Sequence, residues 1–309
     1  MYYFLMKKII LIFTLVWFGF ISYSFAADFQ KGLDAAQSGD FVTALKEWRP
    51  LANQGVADAQ LYLGVMYKNG YGVIQNHKEA FKWYRLAAEQ GNVDAQISLG
   101  AMYENGEGII QDDKEAFKWY HLAAEQGDEL AQSTIGWMYY EGIGVIQDYK
   151  EAVKWYHLSA DQGDADAQTD LGLMYARGKG VTQDYKEAVK WYRLAAEQGY
   201  ANGQYNLGWM YYYGKGVIKD YKKTIKWYSL AAEQGVTKAQ YALGYMYVYG
   251  KGVIEDKVIA HMWWSIAISQ GYEHAKKNKD KLVELMTISQ IEEAQRLERE
   301  CVSNDYKGC

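Results

Sequence analysis

Proline is almost absent from this chain: Pro50 is the only one in 309 residues. A loop-rich β protein places prolines at turns and sheet edges, so the shortage argues for helices. Cysteine is nearly as scarce, with Cys301 and Cys309 alone. A single C-x7-C spacing is no metal signature. In an oxidising compartment the two thiols can close a small terminal loop; otherwise they stay unpaired or mispaired. Clusters of Lys and Arg are missing too, and the formal charge is −5. Such a chain is a poor partner for nucleic acid or anionic lipid. There is no G-x-S-x-G, no H-E-x-x-H and no phosphate loop, so neither a catalytic residue nor a cofactor or metal is expected.

What is present is apolar and aromatic. Half of the residues are hydrophobic, 23% are charged and 16% are aromatic, mostly Tyr. Nothing in that balance points to disorder. Residues 1–26 stand apart: Lys7 and Lys8 precede an apolar run from Ile9 to Ile21, and Ser24-Phe25-Ala26 follows. That order is a secretory signal peptide with cleavage expected after Ala26, giving a periplasmic or secreted protein. Met6 is an alternative start. Removing Lys7 and Lys8 takes the formal charge from −5 to −7. The competing reading is an uncleaved anchor, at the lower edge of what spans a bilayer, and it is the only membrane contact the sequence offers. No Cys follows the run, so a lipidated form is not expected.

The rest of the chain is organised around "KEAFKWYRLAAEQG", Lys78 to Gly91, which returns ending at Gly127, Gly163 and Gly199 and more loosely at Gly235 and Gly271. With Gly55 these glycines are spaced 36 residues apart, and a period between 20 and 50 residues marks a repeat array. In the unit 92–127, Ala95, Leu99 and Met102 have helical spacing. Gly106 and Gly108 end that first helix. Asp112 caps the second, with Glu115 placed to complete a capping box. The pairs Asn76/Glu79, Asp148/Glu151 and Asp184/Glu187 repeat the device, while Asp220/Lys223 and Asp256/Ile259 lose the acid. The second helix buries Ala116, Trp119, Tyr120, Ala123 and Ala124. A glycine inside each first helix, such as Gly100, costs about 1 kcal/mol against Ala, which suggests close approach of the partner helix. The "GKG" runs at Gly178, Gly214 and Gly250 read as turns. The recurring Trp83, Trp119, Trp155, Trp191, Trp227 and Trp263 read as inter-helix packing.

This pattern, "A-x-x-x-LG-x-MY-x-x-G-x-GV" followed by "A-x-KWY-x-x-AA-x-QG", resembles the Sel-1-like repeat, a relative of the tetratricopeptide repeat. The resemblance implies an all-α fold, a right-handed α-solenoid of tandem helix–loop–helix units. Six units are expected at 56–91, 92–127, 128–163, 164–199, 200–235 and 236–271. Residues 27–55 resemble a shortened N-terminal capping unit without the glycine loop. Residues 272–309 resemble the closing helices, with Leu282, Leu285, Ile288, Ile291, Ala294 and Leu297 at helical spacing.

In a repeat protein, specificity belongs where the copies disagree. His121 and His157 share a position with Arg85, Arg193 and Ser229, and this interchange reads as a solvated face. The acids Glu89, Glu125, Asp161, Glu197 and Glu233 recur once per unit and read as solubility and turn geometry. On the first helices the variable positions form one arc, which the resemblance implies is the concave surface. There an aromatic stripe with interspersed charge comprises Trp137, Tyr140, Arg177, Tyr205, Trp209, Tyr212, Tyr213, Tyr241, Tyr245 and Tyr249. Trp, Tyr and Arg are common interface anchors; the alternative is that these aromatics fill gaps between units.

The resemblance implies an exported scaffold holding a protein or peptide partner, in envelope signalling or assembly or in host interaction, host immunoglobulin included. Some cysteine-rich relatives bind or hydrolyse β-lactams, but they carry cysteine pairs in each repeat and this chain has none there. A peptidoglycan or polysaccharide ligand would use the same aromatic stripe.

Overall fold

A computed structural model describes residues 28–309; the expected signal segment lies outside them. The described residues form sixteen helices and no strand. They divide into two compact units, up to Gln147 and from Asp148. The first unit holds α1 (28–37), α2 (Phe41–Asn53), α3 (Ala57–Asn69), α4 (His77–Glu89), α5 (Val93–Asn105), α6 (Asp113–Glu125) and α7 (Glu129–Glu141). The second holds α8 (Tyr149–Gln162), α9 (Ala165–Arg177), α10 (Tyr185–Glu197), α11 (Ala201–Tyr213), α12 (Tyr221–Ala232), α13 (Thr237–Val248), α14 (Lys257–Ser269), α15 (His274–Val283) and α16 (Ile288–Ser303). The fold is an all-α solenoid of tandem helix pairs.

Within each unit the helix pairs are locked by a glycine facing an aromatic ring. A Cβ on Gly64 would lie 2.5 Å from the Tyr84 ring, one on Gly172 2.7 Å from Tyr192, and one on Gly208 2.6 Å from Tyr228. These contacts are too close for any other side chain, so the helix glycine is a packing requirement and its propensity cost is offset by the ring it admits. Gly32 and Trp48 reproduce the contact in the shortened first pair, and Gly244 and Trp264 do so in the last repeat.

The loop glycines have a different origin. Gly106 ends α5 at φ 69°, in the left-handed region that glycine enters without penalty. A Cβ on Gly108, two residues on, would lie 2.6 Å from the backbone of His77 in the preceding repeat. The loop therefore seals one repeat against the next.

A second seam is made by glutamine. Gln96 is buried and donates to the carbonyl of Ala88, while its own oxygen accepts from Gln126 at 2.8 Å. Gln60 with Gln90, Gln168 with Gln198 and Gln204 with Gln234 repeat the arrangement. A buried amide is stable only when its donors and acceptor are matched, which explains why both glutamines recur in the signature.

Three expectations need correction, and one, on the recurring tryptophans, is refined. The reciprocal arm of the capping box is not made in the repeats. Asp112 accepts from the amides of Lys114 and Glu115, but its own N–H donates to the carbonyl of Tyr103 at 3.0 Å. Asn76 and Asp184 are engaged in the same way by Tyr67 and Tyr175. With that amide occupied, Glu115 pairs with Lys118 instead. Among the described residues the one complete box joins Thr287 and Gln290 at the start of α16.

The position of His121 and His157 is solvated only in part: Arg85 and Arg193 are exposed there, whereas both histidines are half-buried. His157 lies half-buried, 3.1 Å from the Tyr175 hydroxyl and edge-on to Trp191. Arg193 and Arg49 reach Tyr211 and Tyr67 from the same place. His and Arg interchange because both can bond a tyrosine hydroxyl one helix ahead.

The recurring tryptophans do pack between helices, but only Trp119 and Trp263 are buried; Trp83, Trp155, Trp191 and Trp227 are half-buried. Trp83 and Trp119 each reach back into the preceding repeat's apolar cluster. Tyr84, Tyr120, Tyr192 and Tyr228, and Trp264 after Trp263, each pack on the first-helix glycine of their own repeat.

The closing stripe is interrupted. Leu282 and Ala294 are buried, whereas Leu285 and Ile288 are exposed. The chain turns between α15 and α16, so the helical register does not carry across residues 284–287. Cys301 and Cys309 are joined as a disulfide.

Candidate partner-binding surface

The recess with the richest chemistry lies in the second unit, on the first helices of two neighbouring repeats. Positions 205, 209, 212 and 213 recur at three- and four-residue intervals, so they share one face of α11. Tyr241 and Tyr245 do the same on α13. Between them is a basin of about 320 Å³, lined by these six aromatics with Tyr228, Lys238, Ala242 and Tyr272.

The rings brace one another. Tyr205 stacks on the buried Tyr228 with centroids 5.5 Å apart, and Trp209 lies 4.6 Å from Tyr213. Tyr241 packs on Tyr272 at 5.2 Å, and its hydroxyl accepts from Asn278 at 2.8 Å. The Tyr228 ring stands over Gly208, so the floor of the basin is the same contact that locks the helix pair. Such rings offer broad area with little conformational entropy left to lose on binding.

Charge enters through two lysines, Lys238 in the lining and Lys251 at the edge. Lys251 donates to the Tyr212 hydroxyl at 2.8 Å and lies over the Tyr245 ring at 4.8 Å. That hydrogen bond, ahead of opposing burial, raises its pKa, so it stays an ammonium. Burial raises the pKa values of Tyr205, Tyr228 and Tyr241 above the ordinary phenol range, keeping the hydroxyls neutral and able to donate.

Of the ten residues singled out in the sequence, Tyr205, Trp209, Tyr212, Tyr213, Tyr241 and Tyr245 line the basin. Tyr249 packs against Tyr245 at the edge, 59% exposed. Arg177 is exposed at the end of α9 and lines no part of the basin. Trp137 and Tyr140 belong to α7 in the first unit, where Trp137 is exposed. Tyr228, Lys238, Lys251 and Tyr272 were missed. Tyr228 and Lys251 occupy positions that recur in other repeats and so read as structural; comparing loop residues between copies would have raised Lys251.

Elsewhere, two titratable groups are displaced. Burial pushes the Asp170 carboxyl up to about 6, against a bond from Tyr156 that lowers it. Burial, with Lys279 second, pushes His261 down to about 4. His261 and Ser265 are buried 3.4 Å apart, and Lys279 donates to Ser265, so this group ties α14 to α15. Among the described residues no cluster of three or more His, Cys, Asp or Glu could hold a metal ion, and no helix is long and apolar enough to cross a membrane.

Tandem helix pairs with glycine-locked seams and an aromatic recess define a repeat scaffold. Residues 57–92, 93–128, 130–164, 165–200, 201–236 and 237–272 match the Sel1 repeat. These stretches cover more than half of the chain, which belongs to the Sel1 repeat family. The crystal structure of a Sel1 repeat protein from Oxalobacter formigenes is 34% identical, with a TM-score of 0.69, over 78% of this chain and 96% of that one. Protein c5321, a protective antigen present in uropathogenic Escherichia coli strains that displays an SLR fold, is 28% identical, with a TM-score of 0.52, over 91% of this chain and 85% of that one. No curated protein matches this chain. Sel1 repeat proteins generally serve as protein-interaction scaffolds and are generally not enzymes.

Proposed function

We propose that this chain is an exported scaffold that holds a protein or peptide partner on the first-helix face of α11 and α13. The basin formed by Tyr205, Trp209, Tyr213, Tyr241 and Tyr245 carries the reading. It has the size of a side-chain recess, it is braced from beneath by Tyr228, and its aromatics stand where the repeats disagree. A role in the envelope or toward a host accords with the apolar leader at residues 1–26 and with the Cys301–Cys309 pair, since disulfides persist in oxidising compartments. That c5321 is a protective antigen supports the same direction.

The test is a pull-down with the chain from Ala27 against envelope and host-surface extracts. Alongside it run a Trp209→Ala/Tyr245→Ala variant and a Trp137→Ala variant, each checked by circular dichroism. The expected result is a partner retained by the parent and by Trp137→Ala, and weakened at least about tenfold by the folded basin variant, the range of an interface hot spot. A partner held equally by all three proteins would remove the basin from the contact.

A further inference from the structure

The charged residues that line the basin or close its edge, Lys238 and Lys251, are of one sign. None of its ten lining residues is a carboxylate, in a chain that carries 38 Asp and Glu against 33 Lys and Arg. Lys238 lies in the lining itself, on α13. Lys251 is half-buried at the edge, and the rings of Tyr212, Tyr221, Tyr245 and Tyr249 all lie within 5.9 Å of its Nζ. Among the described residues neither lysine forms an ion pair, although the exposed helix faces are laced with them, as in Lys82–Glu79 and Lys154–Glu151.

The lysine at the edge is also one of a row. In the second unit the central loop residue is Lys179, Lys215 and then Lys251. Each ammonium stands over a tyrosine of the preceding repeat: Lys179 over Tyr149 at 4.6 Å, Lys215 over Tyr185 at 5.0 Å and Lys251 over Tyr221 at 5.8 Å. In the first unit the same position holds Tyr71, Glu107 and Ile143. A cation held against ring faces is partly desolvated, and the ring quadrupole compensates only in part. An incoming carboxylate would complete the compensation at little further desolvation cost, because the lysine is already fixed.

We infer that the basin takes an acidic peptide segment, with an apolar side chain seated among Trp209, Tyr241 and Tyr245 and carboxylates meeting Lys238 and Lys251. This rests on the scaffold reading above and adds the chemistry of the partner. Aromatic walls supply affinity for the apolar residue, and the lysines select against neutral or basic segments.

The probe is a short fluorescein-labelled peptide of glutamates around one central leucine, compared with its glutamine counterpart by fluorescence anisotropy on the chain from Ala27. The glutamate peptide should bind at least roughly tenfold more tightly, since hydrogen bonds between charged partners are markedly stronger than neutral ones. Its advantage should shrink as salt rises and disappear in Lys238→Gln/Lys251→Gln, while Lys251→Arg keeps it. Circular dichroism and the melting temperature show whether the variants fold. Equal affinity for the two peptides overturns the inference, as does a glutamate peptide that does not bind or that binds the double variant undiminished. If the glutamine peptide binds equally well and Trp209→Ala abolishes it, the basin remains a peptide site and only the charge selection falls. If the partner captured by pull-down ignores Trp209→Ala/Tyr245→Ala, the scaffold reading fails at this surface whatever the peptides do.

Discussion

The two units are built from the same repeat and use it differently. In each, a helix glycine admits a ring, a glutamine pair bridges the seam, and an Asp or Asn caps the second helix. The first unit mixes small and charged residues such as Ser98, Ala101 and Glu104 with the α7 aromatics Trp137 and Tyr140 at its variable first-helix positions, and Glu104 is occupied by the Tyr120 hydroxyl at 2.8 Å. The second fills them with Tyr205, Trp209, Tyr241 and Tyr245 and leaves a basin. Its loops carry lysine where the first unit has Tyr71, Glu107 and Ile143. Positions that cannot change hold the array together, so the positions free to change are where a partner can be read.

The sharpest way to break this comparison is to attack the frame the units share. Tyr84 in the first unit and Tyr228 in the second are both buried, each against a glycine. Truncating either to Ala should cost about 3–5 kcal/mol, the range for removing a buried aromatic ring, measured by urea unfolding or melting temperature. If Tyr228→Ala proves much milder than Tyr84→Ala, the basin floor is not part of a common core and the two units differ in more than their surfaces.

Much of this was legible in the sequence because the frame is periodic. The 36-residue glycine spacing placed each helix end, and the glycine inside each first helix correctly announced a close contact. The capping box was only half legible: no local pattern reveals that the Asp112 amide is taken by Tyr103, nine residues back. The His121 and His157 position, solvated where it holds Arg85 and Arg193, was read only in part because its partner is a tyrosine hydroxyl 18 residues further on, as His157 with Tyr175 shows. The basin was legible on α11 and α13, where variability exposed it. It was hidden at Tyr228, which belongs to both frame and floor, and at Tyr272, which follows the last repeat. Lys251 was hidden inside a turn motif whose glycines drew the attention.

A second difference between the units is electrostatic. One first-helix position faces the tyrosine of the preceding repeat; it is Ser98 in the first unit and Asp170 in the second. Burial raises the Asp170 carboxyl to about 6 from 3.8. Above pH 6 the folded chain holds a charge that the unfolded chain solvates better, so Asp170 lowers stability there. As pH falls from about 6 toward 4 the folded form takes up the proton first and the penalty is relieved. The full difference corresponds to at most about 3 kcal/mol, and partial exposure reduces it. Asp170→Asn should therefore stabilise the protein by ~1–2 kcal/mol at pH 7.5 and by almost nothing at pH 4. Urea unfolding of parent and variant at both pH values checks this. A gain that persists at pH 4 would assign the effect to packing.

The smallest effects test whether the caps are as alike as they look. Asp112 in the first unit and Asp184 in the second each accept two backbone amides at the start of a second helix. Replacing either with Ala should cost ~1 kcal/mol. Glu115 and Glu187, which a complete capping box would also have made important, only pair with Lys118 and Lys190 on exposed faces. Glu115→Gln and Glu187→Gln should each stay within about 0.5 kcal/mol of the parent, because exposed pairs contribute little. Melting temperatures of the four variants, measured at low and high salt, separate the two cases. A loss from Glu115→Gln as large as that from Asp112→Ala would mean that its carboxylate does reach the Asp112 amide in solution, displacing the Tyr103 carbonyl. The loop would then be held less tightly in the first unit than in the second, and the units would differ at their seams as well as on their surfaces.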